Sequence, residues 1–243
     1  MEQIQKVKLA FSFSTKINNL NSKIPERINW YKVSMSRARK FGHQVIFYGC
    51  NTMLKALDGY YDRGVDVSNE NFRLIDDLKI FIHENEPIDI VTIDGDVVLN
   101  KPLEIDKSVD IAFDQYEEFD FYTFYKTQLN FFKKNNPNIE KEVKYLNLNY
   151  QKACNVGILS FNNENIRDLF INNYFMFSKY FFDNVLPKGE KPVLRHSCVI
   201  CQYYMYCLVK YWGLKVSLTK NYSNNDYRHF IGRIKWRYNP ADL

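Results

Sequence analysis

Residues 88–102 read IDIVTIDGDVVLNKP and constrain the fold more than any other stretch. Residues 88–93 are short, apolar and rich in β-branched side chains, the pattern of a strand buried in a sheet. The run stops at Asp94-Gly95-Asp96. Two carboxylates therefore stand where a core strand breaks, a costly place for charge without a partner. An Asp-Gly pair also makes an ordinary turn. A divalent cation is the alternative, since oxygen ligands suit Mg²⁺ or Mn²⁺ and such an ion can hold a substrate phosphate at the same time. Gly95 lets the backbone bend and leaves room for that substrate.

The surrounding pattern predicts an α/β protein. Residues 7–13 (VKLAFSF) predict a first strand, followed by a polar, Asn-rich loop to residue 22. That loop has no glycine and is no P-loop. Residues 24–41 predict a helix with Pro25 near its start and Gly42 at its stop, and residues 44–48 a second strand. A strand, helix and strand in this order imply a parallel sheet.

Short and longer helices are expected over residues 53–57 and 69–83, the second with Phe72, Ile75, Leu78 and Ile82 on its apolar face. Lys79 falls within that face, where it either snorkels or reaches a ligand. Residues 109–113 predict a strand ending at Asp114, and residues 116–125 are dense in acids and aromatics. The Asn- and Lys-rich residues 131–149 suggest an insertion or a mobile loop. Residues 153–161 predict another strand, with Asn155 and Gly157 marking either a bulge or a backbone that passes close to a ligand. Long helices over 164–182 and 195–212, with Gly213 as a stop, and a short strand at 215–218 complete the pattern. No internal repeat or linker divides the chain, so one domain over residues 1–243 is expected.

Composition narrows the classes. Hydrophobic residues at 46% and charged residues at 25% indicate a globular chain. A dispersed net charge of +5 does not suit nucleic acid, and is compatible with acidic substrates such as nucleotide diphosphates. Five cysteines without framework spacing suggest reduced thiols, with Cys198 and Cys201 as packing residues. The N-terminal residues lack a signal-like core and no run approaches a membrane span, so a soluble, cytoplasmic protein without a transmembrane segment is expected.

The second informative stretch is residues 229–236, HFIGRIKW, with His229, Gly232 and Lys235 at three-residue intervals and Trp236 closing it. Imidazole can ligate a metal, glycine lets backbone amides approach a phosphate, and lysine neutralises its charge. Together with Asp94-Gly95-Asp96, this resembles the family 8 glycosyltransferases, the glycogenin and bacterial galactosyltransferase group. Those enzymes have an Asp-x-Asp after a central strand and a C-terminal His-x-x-Gly-x-x-Lys-Pro-Trp. The proline is missing here. Asn155-Val156-Gly157 resembles the family's Asn-Ala-Gly, and Gln202 its active-site Gln, although Cys201 stands where the family has an acid.

The resemblance implies a GT-A fold, an α/β domain with a mainly parallel central sheet flanked by helices. It also implies transfer from a nucleotide-sugar donor, a UDP-sugar, to an unidentified glycan, protein or lipid acceptor, with retention. Asp94, Asp96 and His229 are the expected ligands of Mn²⁺ (or Mg²⁺). Asp94, Lys79, Asn155, Gly157, Gly232 and Lys235 are expected on the donor, and Gln202 and Asp114 are catalytic candidates. Two other classes share part of the pattern: a nucleotidyltransferase acting on sugar phosphates, and a catalytically silent sugar- or nucleotide-binding protein.

Overall fold

The computed structural model describes residues 7–13, 24–219 and 227–229, with residues 24 and 25 described by their backbone alone. β1 (Lys8–Phe13), α1 (Ile24–Lys40) and β2 (Gln44–Gly49) form the expected start of a parallel sheet. Gly42, at φ +81°, supplies the left-handed turn that ends α1. α2 (Asn51–Ala56), β3 (Arg63–Asp66), α3 (Asp77–Asn85) and β4 (Ile90–Ile93) follow. β5 (Val97–Leu99), β6 (Ile111–Glu118), α4 (Phe124–Asn135), α5 (Ile139–Glu142), β7 (Lys152–Phe161) and α6 (Glu164–Tyr180) come next. A π-helical turn at Phe181–Val185 extends α6. The chain then runs through α7 (Leu194–Cys198), a π segment at Val199–Tyr203, α8 (Tyr204–Trp212), β8 (Val216–Leu218) and β9 (Tyr227–His229).

Seven strands make one sheet in the order β3-β2-β1-β4-β7-β6-β8, and β5 and β9 make a second. Every pairing in the large sheet is parallel except those of β7, which runs against both β4 and β6. The mainly parallel α/β sheet expected from the sequence is thus present. Side chains alternate across it as strand geometry requires. Leu9, Phe11, Val45, Phe47, Val91 and Ile93 pack with Met35 and Ala38 of α1. Ala10, Ile46, Tyr48 and Ile90 pack on the other face with Leu78 and Ile82 of α3.

Three expectations need correction. The helix over 69–83 begins only at Asp77, because the Asp77 carboxylate accepts hydrogen bonds from the Arg73 and Leu74 amides (2.7 and 2.8 Å) and holds the preceding residues in turns. Residues 131–149 are no loose insertion: Phe132, Ile139, Val143 and Leu146 of this stretch are buried in the largest core cluster. The strand at 109–113 continues to Glu118, so Asp114 lies inside β6 and not at its end. Among the described residues no helix is long and apolar enough to cross a membrane.

His83 on α3 is buried against Thr92 (Nε2 to Oγ1 3.0 Å), and burial, with Lys79 and Arg167 nearby, pushes its pKa down to about 3. Its folded value lies below the unfolded one, so the unfolded chain binds the extra proton. This stability is complete above about pH 6.5 and is lost as pH falls towards the folded value. At pH 5 the cost is about 2 kcal/mol. Thermal melts at pH 7 and pH 5 should therefore show a lower midpoint in acid, and His83→Gln should shrink that difference.

Candidate metal centre and active site

Asp94 and Asp96 flank the turn between β4 and β5. The Asp94 amide donates to Gly157 O (2.7 Å), extending the β4–β7 pairing by one step, and Val97 N donates back to Asp94 O (3.1 Å). The tight turn brings Gly95 under the ring of Tyr31 on α1, where an added Cβ would overlap that ring. Tyr31 is anchored in turn by its hydroxyl, which donates to Ser12 O (2.6 Å). Gly95 is therefore needed to fit beneath an aromatic ring of the chain itself.

His229 arrives from the far end of the sequence. β9 pairs antiparallel with β5, and the register sets His229 opposite Val97 and Tyr227 opposite Leu99. Its Nε2 lies 3.5 Å from Asp96 Oδ1 and 3.9 Å from Asp94 Oδ2. Ligand atoms of Asp94, Asp96 and His229 all fall within 4.8 Å of one another. The sequence-distant triplet is thus assembled by a two-stranded sheet of six residues.

The other ring nitrogen is held from behind. His229 Nδ1 lies 2.5 Å from Asp114 Oδ2, and Tyr227 donates its hydroxyl to Asp114 Oδ1. Asp114 is fully buried and does not line the cavity. It fixes the ring orientation that leaves Nε2 facing Asp94 and Asp96. Burial pulls the His229 pKa down, but the hydrogen bonds to Asp114 and Asp96 outweigh it and hold the imidazole at about 10. Asp96 and Asp114 thus create a place that stabilises positive charge.

Gly157 explains how the ring fits. One residue of β6, Asp114, opposes three of β7, Val156 to Ile158, so β7 bulges there. A Cβ on Gly157 would overlap His229 Cε1 and come within 2.7 Å of Nδ1. The close approach expected at Gly157 is therefore made by the histidine ring.

Lys79 is buried. It donates to Asp94 Oδ1 (2.8 Å) and to Val156 O (2.7 Å). Burial lowers its pKa, and Asp94 and Asp76 more than reverse that, so it stays charged. Asp94 is thereby oriented while its side chain remains 39% exposed to the cavity.

These groups share a cavity of about 460 Å³ with Asn155, Gln202, Glu117 and Asp76. Arg27, Trp30 and Tyr31 of α1 line one part of it, and Tyr122, Phe124 and Arg195 another. Gln202 lies on the π segment between α7 and α8, an irregularity that often marks functional positions. Cys198 also lines the cavity, whereas Cys201 is in the core, and all five cysteines are free. Gly232 and Lys235 lie outside the described residues.

Sequence reasoning did not single out Glu117, Asp76 or the α1 side chains. The density of acids and aromatics over 116–125 was the available signal for Glu117. Nothing in the α1 pattern distinguished a cavity wall from a core face.

No protein-family model matches this sequence, and no curated protein matches it. Similar solved structures include the glycosyltransferase GlyE of Streptococcus pneumoniae TIGR4, at TM-score 0.46 and 11% identity over 90% of this chain. The match spans 46% of that protein, less than half its length. The galactosyltransferase LgtC, solved with donor and acceptor sugar analogues, has TM-score 0.44 and 11% identity over 81% of this chain and 71% of its own. Mouse xyloside xylosyltransferase 1, in its apo form, has TM-score 0.48 and 11% identity over 88% of this chain and 85% of its own. These are remote likenesses, and the functional reading of the site rests on its own residues.

Proposed function

We propose that the chain is a metal-dependent glycosyltransferase that moves a sugar from a UDP-sugar to an acceptor hydroxyl on a glycan, protein or lipid, with retention. The observation that carries this reading is the convergence of Asp94, Asp96 and His229 on one wall of a ligand-sized cavity. Two carboxylates and one imidazole fit a divalent cation, and the nitrogen donor favours Mn²⁺ over Mg²⁺. Asp96 and Asp114, which raise the His229 pKa, also favour a cation that takes the place of the Nε2 proton. When bound, Mn²⁺ supplies Lewis-acid stabilisation of the departing nucleoside diphosphate.

The residues of the chain do the rest. Asp94, Asp96 and His229 would hold the ion. Lys79 keeps one oxygen of Asp94 engaged and so directs the carboxylate. Asn155 and Gln202 bring amide groups suited to sugar hydroxyls, and the rings of Tyr122 and Phe124 offer flat faces for a sugar. Gly232 and Lys235 are proposed to contact the diphosphate. Asp114 acts as a positioning residue behind His229, which replaces the direct catalytic role first expected of it.

The test is a panel of nucleotide-sugars, with release of the nucleotide measured with Mn²⁺ and with EDTA. Metal-dependent release from a UDP-sugar is expected, and NMR of the product anomer should show retention. Absence of release from every nucleotide-sugar, with acceptors supplied, would sink the reading. Asp114→Asn should weaken Mn²⁺ binding about tenfold or more while the fold persists, because the Nδ1 partner loses its charge. Calorimetric titration with Mn²⁺ measures it, and an unchanged affinity would remove Asp114 from this role.

A further inference from the structure

Behind the cavity, one hydroxyl has too many acceptors. Tyr125 carries a single hydroxyl proton, yet its oxygen lies 2.6 Å from Glu117 Oε2 and 2.6 Å from Gln202 Oε1. One of these contacts must therefore supply a second hydrogen. The Asn155 amide is held at both ends: its Oδ1 accepts from Gly157 N (2.8 Å) and its Nδ2 donates to Glu117 Oε1 (2.7 Å). Glu117 thus takes one hydrogen bond on each oxygen when it is ionised. Turning the Gln202 amide end for end, which exchanges atoms of nearly equal scattering power and size, puts an N–H on the Tyr125 oxygen. Each of these contacts of Glu117, Tyr125, Asn155 and Gln202 then pairs one donor with one acceptor, without an added proton.

We infer that Glu117 and Tyr125 are positioning residues that orient the Asn155 and Gln202 amides, leaving the Gln202 side-chain oxygen facing the ligand in the cavity. Local packing supports a fixed hydroxyl. The Tyr125 ring stacks on Phe119 (centroids 4.9 Å apart) and on Phe124 (4.2 Å). Glu117 is 3% exposed, so its carboxylate is a costly group to keep for stability alone. Burial raises its pKa, and the bonds from Tyr125 and Asn155 offset only part of that rise.

The two substitutions act differently. Glu117→Gln sets an N–H where an acceptor stood. With Asn155 still donating to the side-chain oxygen at position 117, the new N–H points at Tyr125, whose proton then turns to Gln202 and flips that amide. Tyr125→Phe removes the hydroxyl and leaves Gln202 without its anchor.

The catalytic consequence rests on the glycosyltransferase reading, whereas the hydrogen bonds do not. The experiment therefore has two arms. In ¹⁵N NMR of the protein, the Gln202 side-chain NH₂ signals, identified by their loss in Gln202→Ala, should be protected from exchange in the wild type. In Tyr125→Phe they should lose that protection by at least tenfold, while the Asn155 NH₂ signals stay protected. Equal Gln202 exchange in the two proteins would overturn the inference whether or not the enzyme turns over. In the second arm, with wild-type transfer established, Glu117→Gln and Tyr125→Phe should each lower kcat about tenfold or more, with UDP affinity within threefold. A structural role alone would lower both together or neither. Retention of wild-type kcat by a folded Tyr125→Phe would overturn the inference and leave the glycosyltransferase reading intact.

Discussion

On the proposed glycosyltransferase reading, replacing Asp96 by Asn should lower metal-dependent turnover of a UDP-sugar by on the order of a thousandfold, and His229→Ala should do the same. The two residues are far apart in sequence and meet because β9 pairs with β5. Asn keeps the size of Asp96 but offers a neutral oxygen, so the cluster holds a cation less well. His229→Ala removes the only nitrogen of the triplet and strands the Asp114 carboxylate behind it. Among the described residues that buried carboxylate then keeps the Tyr227 hydroxyl, so His229→Ala should also lower the melting temperature, whereas Asp96→Asn should not. Turnover measured with Mn²⁺, together with thermal melts, separates these effects. Wild-type turnover in a folded Asp96→Asn protein would mean that the carboxylates are a turn and nothing more.

The second large effect is expected at a residue that touches no ligand. In Gly157→Ala the new Cβ runs into the His229 ring. The ring has little freedom to retreat, since Asp114 grips one nitrogen and the β5–β9 pairing grips the backbone. Overpacking should cost about 1–3 kcal/mol, and the displaced imidazole should weaken Mn²⁺ binding by about 10–100-fold. Gly157 has no positive φ among the strained glycines, so the cost comes from the clash and not from the backbone. A double-mutant cycle checks this. Removing the ring in His229→Ala should cancel most of the destabilisation by Gly157→Ala. If the alanine costs the same with and without the ring, the packing account is wrong.

The parts of the fold legible in the sequence are those where hydrophobicity and burial agree. β1, β2, β4 and β7 announce themselves as runs rich in apolar residues, and α1 and α8 end at glycines in left-handed conformations. The misses share a physical cause. β6 was cut short because its second half, DQYEE, is polar. Asp114, Gln115 and Glu117 are nonetheless buried, since partners on other elements satisfy Asp114 and Glu117. β3 (RGVD) was passed over because it is an exposed edge strand with almost no apolar content. The Asn and Lys of residues 131–149 cover the outer faces of α4 and α5, and they hid the apolar positions that reach the core.

The site divides in the same way. Asp94, Asp96 and His229 could be named from the sequence because motif spacing survives without knowledge of contacts. Lys79 was named too, although its partner was not. The supports depend on tertiary pairing and left weaker traces. Asp114 behind His229, the bulge that admits the ring, and the Glu117–Tyr125–Gln202 chain join strands and helices tens of residues apart in sequence.

The central claim is that the Asp94–Asp96–His229 cluster binds a divalent cation that carries a nucleoside diphosphate. Calorimetric titration of the protein with UDP, in Mn²⁺ and then in EDTA, addresses it most directly. Binding at least tenfold tighter with Mn²⁺, with that gain lost in Asp96→Asn, is the predicted result. UDP affinity equal in Mn²⁺ and EDTA, or no binding in either, would contradict it.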